Sequence, residues 1–489
     1  MAPISSSTVW SKYLAKQQGG TGVLNGDWYE IEHNNHVLKY LVVAFGNQPA
    51  TGYPLYIGLH GGGSAPHDKI GNNDGSWRDV FDRFYRGPIK DFATGPGASG
   101  AVFVATRGIS ALNGSDKSTA FDTYDLHSQP ESYLLLQRMI ANLVLPEPKE
   151  MKQAKALDGA QLNKAAPNLV DPDRVYLLGF SAGGDGAYQL ASKIPDRFAA
   201  MVAGGGHYNW TNFNNIANMP LCVQCGEKDM VTGNLRARAT IEAAHRFSLP
   251  FDAVTPKYWQ GDNSDLACPV WLYRYECHIV KDGNHSQWAQ PDQVNQPQKI
   301  LTNLAAWYAN HEAMGARDMT IKNINPTPWV SQFKRNPTPS HVVWDIASRP
   351  PHLSEFYNEI YQPERFFHYL YIHDPSVIDS NNKDLVFADY GSDYIRISNP
   401  TKYIALLLNE DMIAFDREFT VRWGNTKDDA YTFPAGSLKP SEQLQTETLE
   451  ARGDPRLVFS VMLYFEHPSD NIWWLKTSGT LQTQAKAKL

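Results

Sequence analysis

Val175-Tyr-Leu-Leu-Gly179-Phe-Ser181-Ala-Gly183-Gly-Asp-Gly-Ala-Tyr-Gln-Leu-Ala191 decides how this chain is read. Arg174–Leu178 is short and almost wholly apolar, as expected of a strand buried on both faces. From Ala182 to about Lys193 the composition is that of a helix. Between them, Gly179-x-Ser181-x-Gly183 removes Cβ atoms where a strand must turn sharply into a helix. Such a turn leaves the serine hydroxyl exposed at the C-terminal edge of a sheet. The free amides and dipole of the following helix face the same point. A structural turn could use the same glycines around an ordinary serine. The strand directly before and the helix directly after favour a nucleophile.

Outward from this turn, strands and helices alternate. WYEIEH, HVLKYLVVAF, Leu55–Leu59, Ala101–Ala105, Phe198–Ala203, Leu221–Gln224 and Trp271–Val280 read as strands. Glu131–Leu143, Asn234–Phe247 and about Gln298–Asn310 read as helices. Short apolar strands alternating with helices predict an α/β fold, a mostly parallel, doubly wound sheet covered on both faces. Lys149–Asn168 interrupts the rhythm and reads as a polar surface insertion. Beyond Val342 the pattern changes to period two, with aromatic and β-branched residues in RFFHYLYIHD, DYIRIS, YIALLL, FTVRW, RLVFSVMLYF and NIWWLK. The expected organisation is a catalytic α/β domain over 1–314, a Pro/Asn/Thr-rich junction over 315–340, a β-sandwich-like domain over 341–476 and a tail over 477–489. Trp423, Trp473 and Trp474 could form a carbohydrate face, but strand aromatics at period two are more often core.

The chain has 489 residues, a net charge of -7, 42% hydrophobic and 19% charged residues, the balance of a globular protein. No basic stripe suggests nucleic acid, and no apolar run is long enough to span a bilayer. The N-terminus lacks the apolar core of a secretory signal. Four cysteines do not make a disulfide framework. Cys222 and Cys225 form a C-x-x-C inside the strand-like PLCVQC, so buried thiols are expected and a metal site is not. No cofactor motif occurs. The last residues, Ala487-Lys488-Leu489, resemble the Ser-Lys-Leu peroxisomal tripeptide. They lead to the expectation of an intracellular, peroxisomal protein whose import receptor would be a partner.

A second motif follows the strand ending at Leu59: His60-Gly61-Gly62-Gly63-Ser64. Glycine-rich backbone can bring N–H donors against the oxyanion of a tetrahedral intermediate. The expected oxyanion hole is the Ala182 amide plus one from Gly62 or Gly63. An acid and a base should follow the serine in that order. Asp229, in Cys225-Gly-Glu-Lys-Asp-Met230, lies just past a strand, with Glu227 as its competitor. His285, in Lys281-Asp-Gly-Asn-His-Ser-Gln-Trp288, lies past the strand ending near Val280. His278 is the alternative base, though its place within that strand suits a packed histidine. His207 and His245 are weaker candidates. His60, Tyr208, Trp210 and Trp288 lie where strand ends meet a ligand crevice and are expected to bind substrate, although ordinary loop packing explains each one separately.

The stretches PLYIGLHGGGSAPHD, DRVYLLGFSAGGDGAYQLASKIPDRFAAMVAGG, CGEKDM and DGNHSQW together resemble α/β-hydrolases of the polyhydroxybutyrate-depolymerase and esterase-like branch. The resemblance implies an α/β-hydrolase fold and a cofactor-free serine hydrolase acting through an acyl-enzyme on Ser181. The expected substrate is a small carboxylic ester, thioester or lactone, because depolymerases of insoluble polymer are usually secreted. A prolyl-oligopeptidase-like peptidase or amidase is one alternative. A non-catalytic binding protein on a hydrolase scaffold is another, and loss of a triad member would be its mark.

Overall fold

The uninterrupted apolar runs of the sequence form the middle of one thirteen-stranded sheet. The computed structural model describes residues 6–16, 23–25, 28–33, 35–61, 77, 80–111, 131–146, 148–152, 156–206, 213–216, 219–226, 228–229, 275–280, 282–285, 298–301, 318–321, 325–346, 365–372, 385–397, 404–423, 430–466 and 474–481. The strands of the large sheet are β1 (Val23–Asn25), β2 (Trp28–His33), β3 (His36–Asn47), β4 (Tyr53–Leu59), β5 (Ala101–Thr106), β6 (Ser110–Ala111) and β7 (Leu157–Gln161). They continue as β8 (Val170–Phe180), β9 (Ala200–Gly204), β10 (Leu221–Gly226), β11 (Tyr275–Val280), β12 (Gln298–Leu301) and β13 (Asp318–Ile321). Their order is β1-β2-β3-β5-β4-β8-β9-β10-β11-β12-β13, with β6 and β7 also on β3. β3 is antiparallel to β2 and β5. From β5 across to β11 every pairing is parallel.

Among the described residues, the longer helices that flank or precede these strands are α1 (Ser6–Lys16), α2 (Arg86–Thr94), α3 (Glu131–Val144) and α4 (Ala182–Lys193). Alternate residues of the central strands go to opposite faces. Ile57, Leu177 and Ala203 pack with Met139 of α3 and Leu190 of α4. Tyr56, Leu178 and Val202 pack with Trp77 and Ile89 of α2. Two-sided burial is why these strands carry no polar alternation. The strand order, the reversed β3 and the strand–serine–helix turn after β8 are those of an α/β-hydrolase fold.

Three expectations for the large sheet and its surroundings change. Gln298–Leu301, read as the start of a helix, is strand β12, antiparallel to β11 and β13. β13 carries the large sheet past residue 314, into the stretch expected as junction. The 149–168 insertion is no loose surface segment: Glu150, Met151 and Ala156 are buried, and β7 adds in parallel to the end of β3. Tyr40 and Tyr29 hold Glu150 there, donating to its carboxyl and to its carbonyl. The helix expected at 234–247 lies outside the described residues.

The C-terminal part is a sandwich of two five-stranded sheets. Its strands are β14 (His341–Asp345), β15 (Phe366–Phe367), β16 (Leu370–Ile372), β17 (Leu385–Tyr390), β18 (Tyr394–Ile397), β19 (Ile404–Leu408), β20 (Phe419–Trp423), β21 (Ala430–Phe433), β22 (Val461–Glu466) and β23 (Trp474–Ser478). One sheet runs β14-β17-β18-β20-β21, the other β15-β16-β19-β22-β23. Phe366–Ile372, read as one strand, is a hairpin turning at His368, whose φ is 55°. Trp423 is buried in the core between the sheets. Helix α5 (Glu442–Arg452) begins at Ser441, whose hydroxyl caps the Leu444 amide, and ends at a left-handed Gly453.

The two parts meet through buried charge. Asp196 and Arg197 sit in the turn just past α4, and both are almost wholly buried. Arg197 Nη1 donates to Asp454 Oδ2 at 2.9 Å and Nη2 donates to Gln137 at 3.0 Å. Arg335, from the junction, donates to Asp454 Oδ1 at 3.1 Å and to the Asp196 carbonyl at 2.9 Å. Arg452 Nη2 donates to Asp196 Oδ2 at 2.5 Å, and the His368 amide donates to the same oxygen at 2.7 Å. Burial pushes the Asp454 carboxyl up, but Arg335 and Arg197 outweigh it and hold it well below the usual carboxylate range. Burial likewise works against Asp196, and Arg452 and His368 bring its pKa below the ordinary value. Burial also pushes Arg197 down to about 10, leaving it charged at neutral pH.

Because both carboxyls titrate lower in the fold than in the unfolded chain, their stabilisation is complete above about pH 4 and fades as pH falls through the folded values. Asp454→Asn leaves two buried guanidiniums under-compensated and is expected to cost about 3–5 kcal/mol at pH 7. Denaturant unfolding should also show a shallower loss of stability for the variant than for wild type between pH 5 and pH 2. Equal stability at pH 7, or parallel pH curves, would remove the network from this role.

Candidate active site

The site is assembled where β4, β8, β9, β10 and β11 end on the same edge of the sheet. At the end of β8 the backbone of Ser181 adopts φ 54° and ψ -120°, a conformation that costs an L-residue of order 1–3 kcal/mol. Neighbouring backbone imposes it. The Ser181 amide donates to the Gly204 carbonyl at 2.8 Å, and the Ser181 carbonyl accepts from Gly184 and Asp185 at 2.8 and 3.1 Å. A Cβ on Gly179 would lie 2.0 Å from the Gly183 oxygen, and one on Gly183 would lie 2.3 Å from the Leu59 oxygen. The glycines of the motif are therefore space requirements as well as turn residues.

The structure brings Ser181, His285 and Asp229 together. His285 Nε2 is 2.9 Å from Ser181 Oγ, and His285 Nδ1 is 2.8 Å from Asp229 Oδ2 and 3.0 Å from Oδ1. Asp229 is fully buried, whereas the His285 side chain is 21% exposed. This ordering suits a carboxylate that holds the Nδ1–H tautomer and leaves Nε2 to accept the serine proton. The loops bearing the two residues are tied to each other, since the Lys228 amide donates to the Gly283 carbonyl at 2.7 Å. Gly226 passes so close to Gly283 that a Cβ there would lie 2.3 Å from its oxygen. His278 is instead packed within β11, with Nδ1 3.0 Å from Gln224 Nε2 across the strand pair. Glu227, His207 and His245 lie outside the described residues.

Ala182 occupies the first position of α4, where an amide has no intrahelical acceptor, and it adjoins the serine. Gly61 crosses over the nucleophile: a Cβ there would lie 2.9 Å from the Ser181 Cβ. His60 departs from the expectation of substrate contact. It is fully buried, its Nε2 accepts the Gly108 amide at 3.1 Å, and its Nδ1 donates to the Gly61 carbonyl at 2.7 Å. This bonding assigns a neutral Nδ1–H tautomer and gives His60 the task of fixing the loop. Gly62, Gly63, Tyr208, Trp210 and Trp288 lie outside the described residues, as does the 487–489 tripeptide.

Two further residues belong to the site. The Phe180 ring lies 5.2 Å from the His285 ring, centroid to centroid, and is itself braced edge-on by Phe84. It occupies the variable position before the serine, a position the motif leaves open. Gly205 has φ +55°, and a Cβ on it would lie 3.3 Å from both Asp229 Oδ2 and His285 Cε1. Its backbone thus lines the acid–base pair, a role signalled in the sequence only by the Gly204-Gly-Gly206 run.

Residues 148–247 match the family described as the Prolyl oligopeptidase family. Among curated proteins no sequence relative is found. Several solved structures are similar. A thermostable esterase is 15% identical, with 64% of each chain covered and a TM-score of 0.34. This chain thus spans less than two thirds of that protein's length. An S-formylglutathione hydrolase from Agrobacterium tumefaciens is 15% identical, covering 54% of this chain and 91% of its own, with a TM-score of 0.30. A carboxylesterase from Lactobacillus plantarum WCFS1 is 13% identical, covering 54% and 86%, with a TM-score of 0.29.

Gly205→Ala tests the geometry. The left-handed backbone makes alanine unfavourable by about 1–2 kcal/mol, and the methyl group crowds the His285–Asp229 pair. The rate of Ser181 modification by an organophosphorus probe should fall about tenfold or more, with only a modest drop in melting temperature. An unchanged rate would mean that the pair has room this structure does not give it.

Proposed function

We propose that this chain, a serine hydrolase of the α/β-hydrolase type, cleaves a carboxylic ester or thioester through an acyl-enzyme on Ser181. The observation that carries this reading is the unbroken hydrogen-bonded series Ser181–His285–Asp229 at a strained strand–helix turn. In the first step Ser181 Oγ attacks the substrate carbonyl carbon while His285 Nε2 takes its proton. Negative charge develops on the carbonyl oxygen, where the Ala182 amide and a second amide, from Gly62 or Gly63, would meet it. Collapse of this intermediate expels the alcohol or thiol, which receives the proton from His285, and leaves the acyl group on Ser181. Water then repeats the sequence, with His285 as its base, releasing the acid and restoring the serine. Asp229 stabilises the imidazolium in both steps. All of these groups come from the chain itself.

Hydrolysis of an amide is the second reading, favoured by the family match over residues 148–247. An amine leaves only when protonated, so that reading asks more of His285 as an acid than an ester does.

A fluorophosphonate probe followed by peptide mapping is expected to modify Ser181, and p-nitrophenyl esters are expected to turn over. Ser181→Ala should lower ester turnover by about five to six orders of magnitude with the melting temperature preserved. Labelling of Ser181 combined with turnover of aminoacyl amides, but not of esters, would replace the ester reading with the amide one. A folded Ser181→Ala variant with full esterase activity would overturn both.

A further inference from the structure

His285 is tied to Asp229 at one corner of its ring, and Phe180 lies against the ring itself. Both Asp229 oxygens meet Nδ1, at 2.8 and 3.0 Å. That fixes one atom of the imidazole and leaves the ring able to pivot about it. The torsion that takes up such a pivot, χ2, is broad and has no sharp preference of its own. What packs against the ring therefore decides where Nε2 points. Among the described residues the ring contact of His285 is Phe180, with centroids 5.2 Å apart and planes 33° from parallel. This separation lies within the range of favourable aromatic pairs.

Phe180 is fixed in its turn. As the last residue of β8 it follows Tyr176 and Leu178 on the face that packs with Trp77 and α2. Its ring receives Phe84 edge-on, centroids 5.3 Å apart at 69°, and a Cβ on Gly61 would lie 3.2 Å from its Cδ1. Phe84 ends a single π-turn, Val80–Phe84, closed by the Tyr85 amide donating to the Val80 carbonyl at 3.4 Å. The turn lies against β4 at Gly58, where a Cβ would come within 2.9 Å of Val80 Cγ1. Phe81 stacks on Phe103 of β5 at 5.8 Å. The turn is thus seated on two strands, and from there Phe84 braces Phe180.

From these contacts we propose that Phe180 is a positioning residue for His285, its ring setting the imidazole plane that aims Nε2 at Ser181 Oγ. The inference rests on the acyl-enzyme reading above. In acylation Nε2 takes the Ser181 proton as the Oγ–C bond forms and gives it to the departing alcohol or thiol. In deacylation it takes a proton from water and returns it to Oγ as that bond breaks. A swing of about 1 Å at Nε2 is enough to cost a large factor in rate. While Nε2 holds the proton, the imidazole is a cation 5.2 Å from an aromatic ring, a separation at which the two attract. Neutral imidazole gains less from the same contact, so the benefit falls on the chemical steps rather than on substrate binding.

The test is a double-mutant cycle on the full-length protein, with kcat and KM for p-nitrophenyl acetate. Phe180→Leu keeps an apolar side chain but removes the ring. It should lower kcat about tenfold and leave KM within about twofold of wild type. On a His285→Ala background the same substitution should change the residual turnover by less than about twofold, because a residue acting through His285 has nothing left to act on. An unchanged kcat, or a fall of equal size in both backgrounds, overturns the proposal; the second result would assign Phe180 to the Ser181 turn or to Gly61. Wild type that a fluorophosphonate leaves unmodified at Ser181 overturns the hydrolase reading itself, and this inference with it. Should Phe180→Leu fail to fold, Phe84→Leu withdraws the edge-on brace and is read by the same cycle. A kcat fall confined to the His285 background supports the role, and no fall, or a fall in both, ends it.

Discussion

The backbone of Ser181 is held in a conformation that an L-residue avoids, and its surroundings are arranged to prevent relaxation. Its own amide and carbonyl are both bonded, to Gly204 on β9 and to the first turn of α4. Relaxing φ toward the ordinary region would rotate α4 against Leu59, Gly179 and Gly206, where backbone meets backbone without a Cβ between. Strain of this kind persists only where packing over-determines it. Here the packing comes from a sheet whose central strands are buried on both faces. The nucleophile's exposure is thus a consequence of the core, and the residues that matter most for it are glycines.

α4 carries this constraint to its other end. All twelve of its residues are buried, so its rise of about 18 Å is enclosed by other parts of the protein. At its C-terminal side the chain passes directly into Asp196 and Arg197, which join Arg335, Arg452 and Asp454 in a network shut off from water. Taking these ions out of water is costly, and similar apolar packing could give equal or greater stability. What ions add is geometry: guanidinium forks and carboxylates pair at few angles. Asp173, bonded to both Arg335 and the more exposed Arg456, supplies further negative charge at the rim of the network. His368 donates its Nδ1–H to the Pro337 carbonyl, and burial holds it below the usual imidazole range.

The large sheet and the nucleophile turn are legible because their signals are local. A buried strand, two glycines around a serine and a helix occupy twenty consecutive positions. Asp229 and His285 are legible through chain order and their places just beyond strands, a topological signal. Other features depend on distant partners. Asp196-Arg197 looks like an ordinary charged helix end, because Asp454 is 257 residues away from Arg197. Gln298–Leu301 falls within a run whose apolar spacing suits a helix, and pairing with β11 and β13 overrides that local preference. Helix α5 is mostly polar, so periodicity does not reveal it, and its readable marks are the Ser441 cap and Gly453. His60 carries a motif position whose residue type fits ligand contact and loop support alike. Only its two backbone bonds decide between them.

These constraints make the sandwich part of the site's scaffold. It touches the hydrolase part behind α4 through buried ions and, at the Phe213–Ile216 turn, through Asn215, whose side chain pairs with the Asp345 backbone. Helix α1 adds a third tie: Val9 packs with Leu449 and Val458, beside Trp10 and Tyr13, so the start of the chain leans on the sandwich helix. Gly453, at the end of that helix, packs against α3, where a Cβ would lie 2.6 Å from that of Ala141. Two parts joined by apolar packing alone could slide by small steps with little loss. Ion pairs at fixed angles and backbone contact at a glycine do not tolerate such steps, because each ångström breaks bonds that water cannot reach to replace. The sandwich is therefore tied at fixed geometry both to the turn that follows α4 and to the short turn that carries Asn215, on the hydrolase side of the boundary.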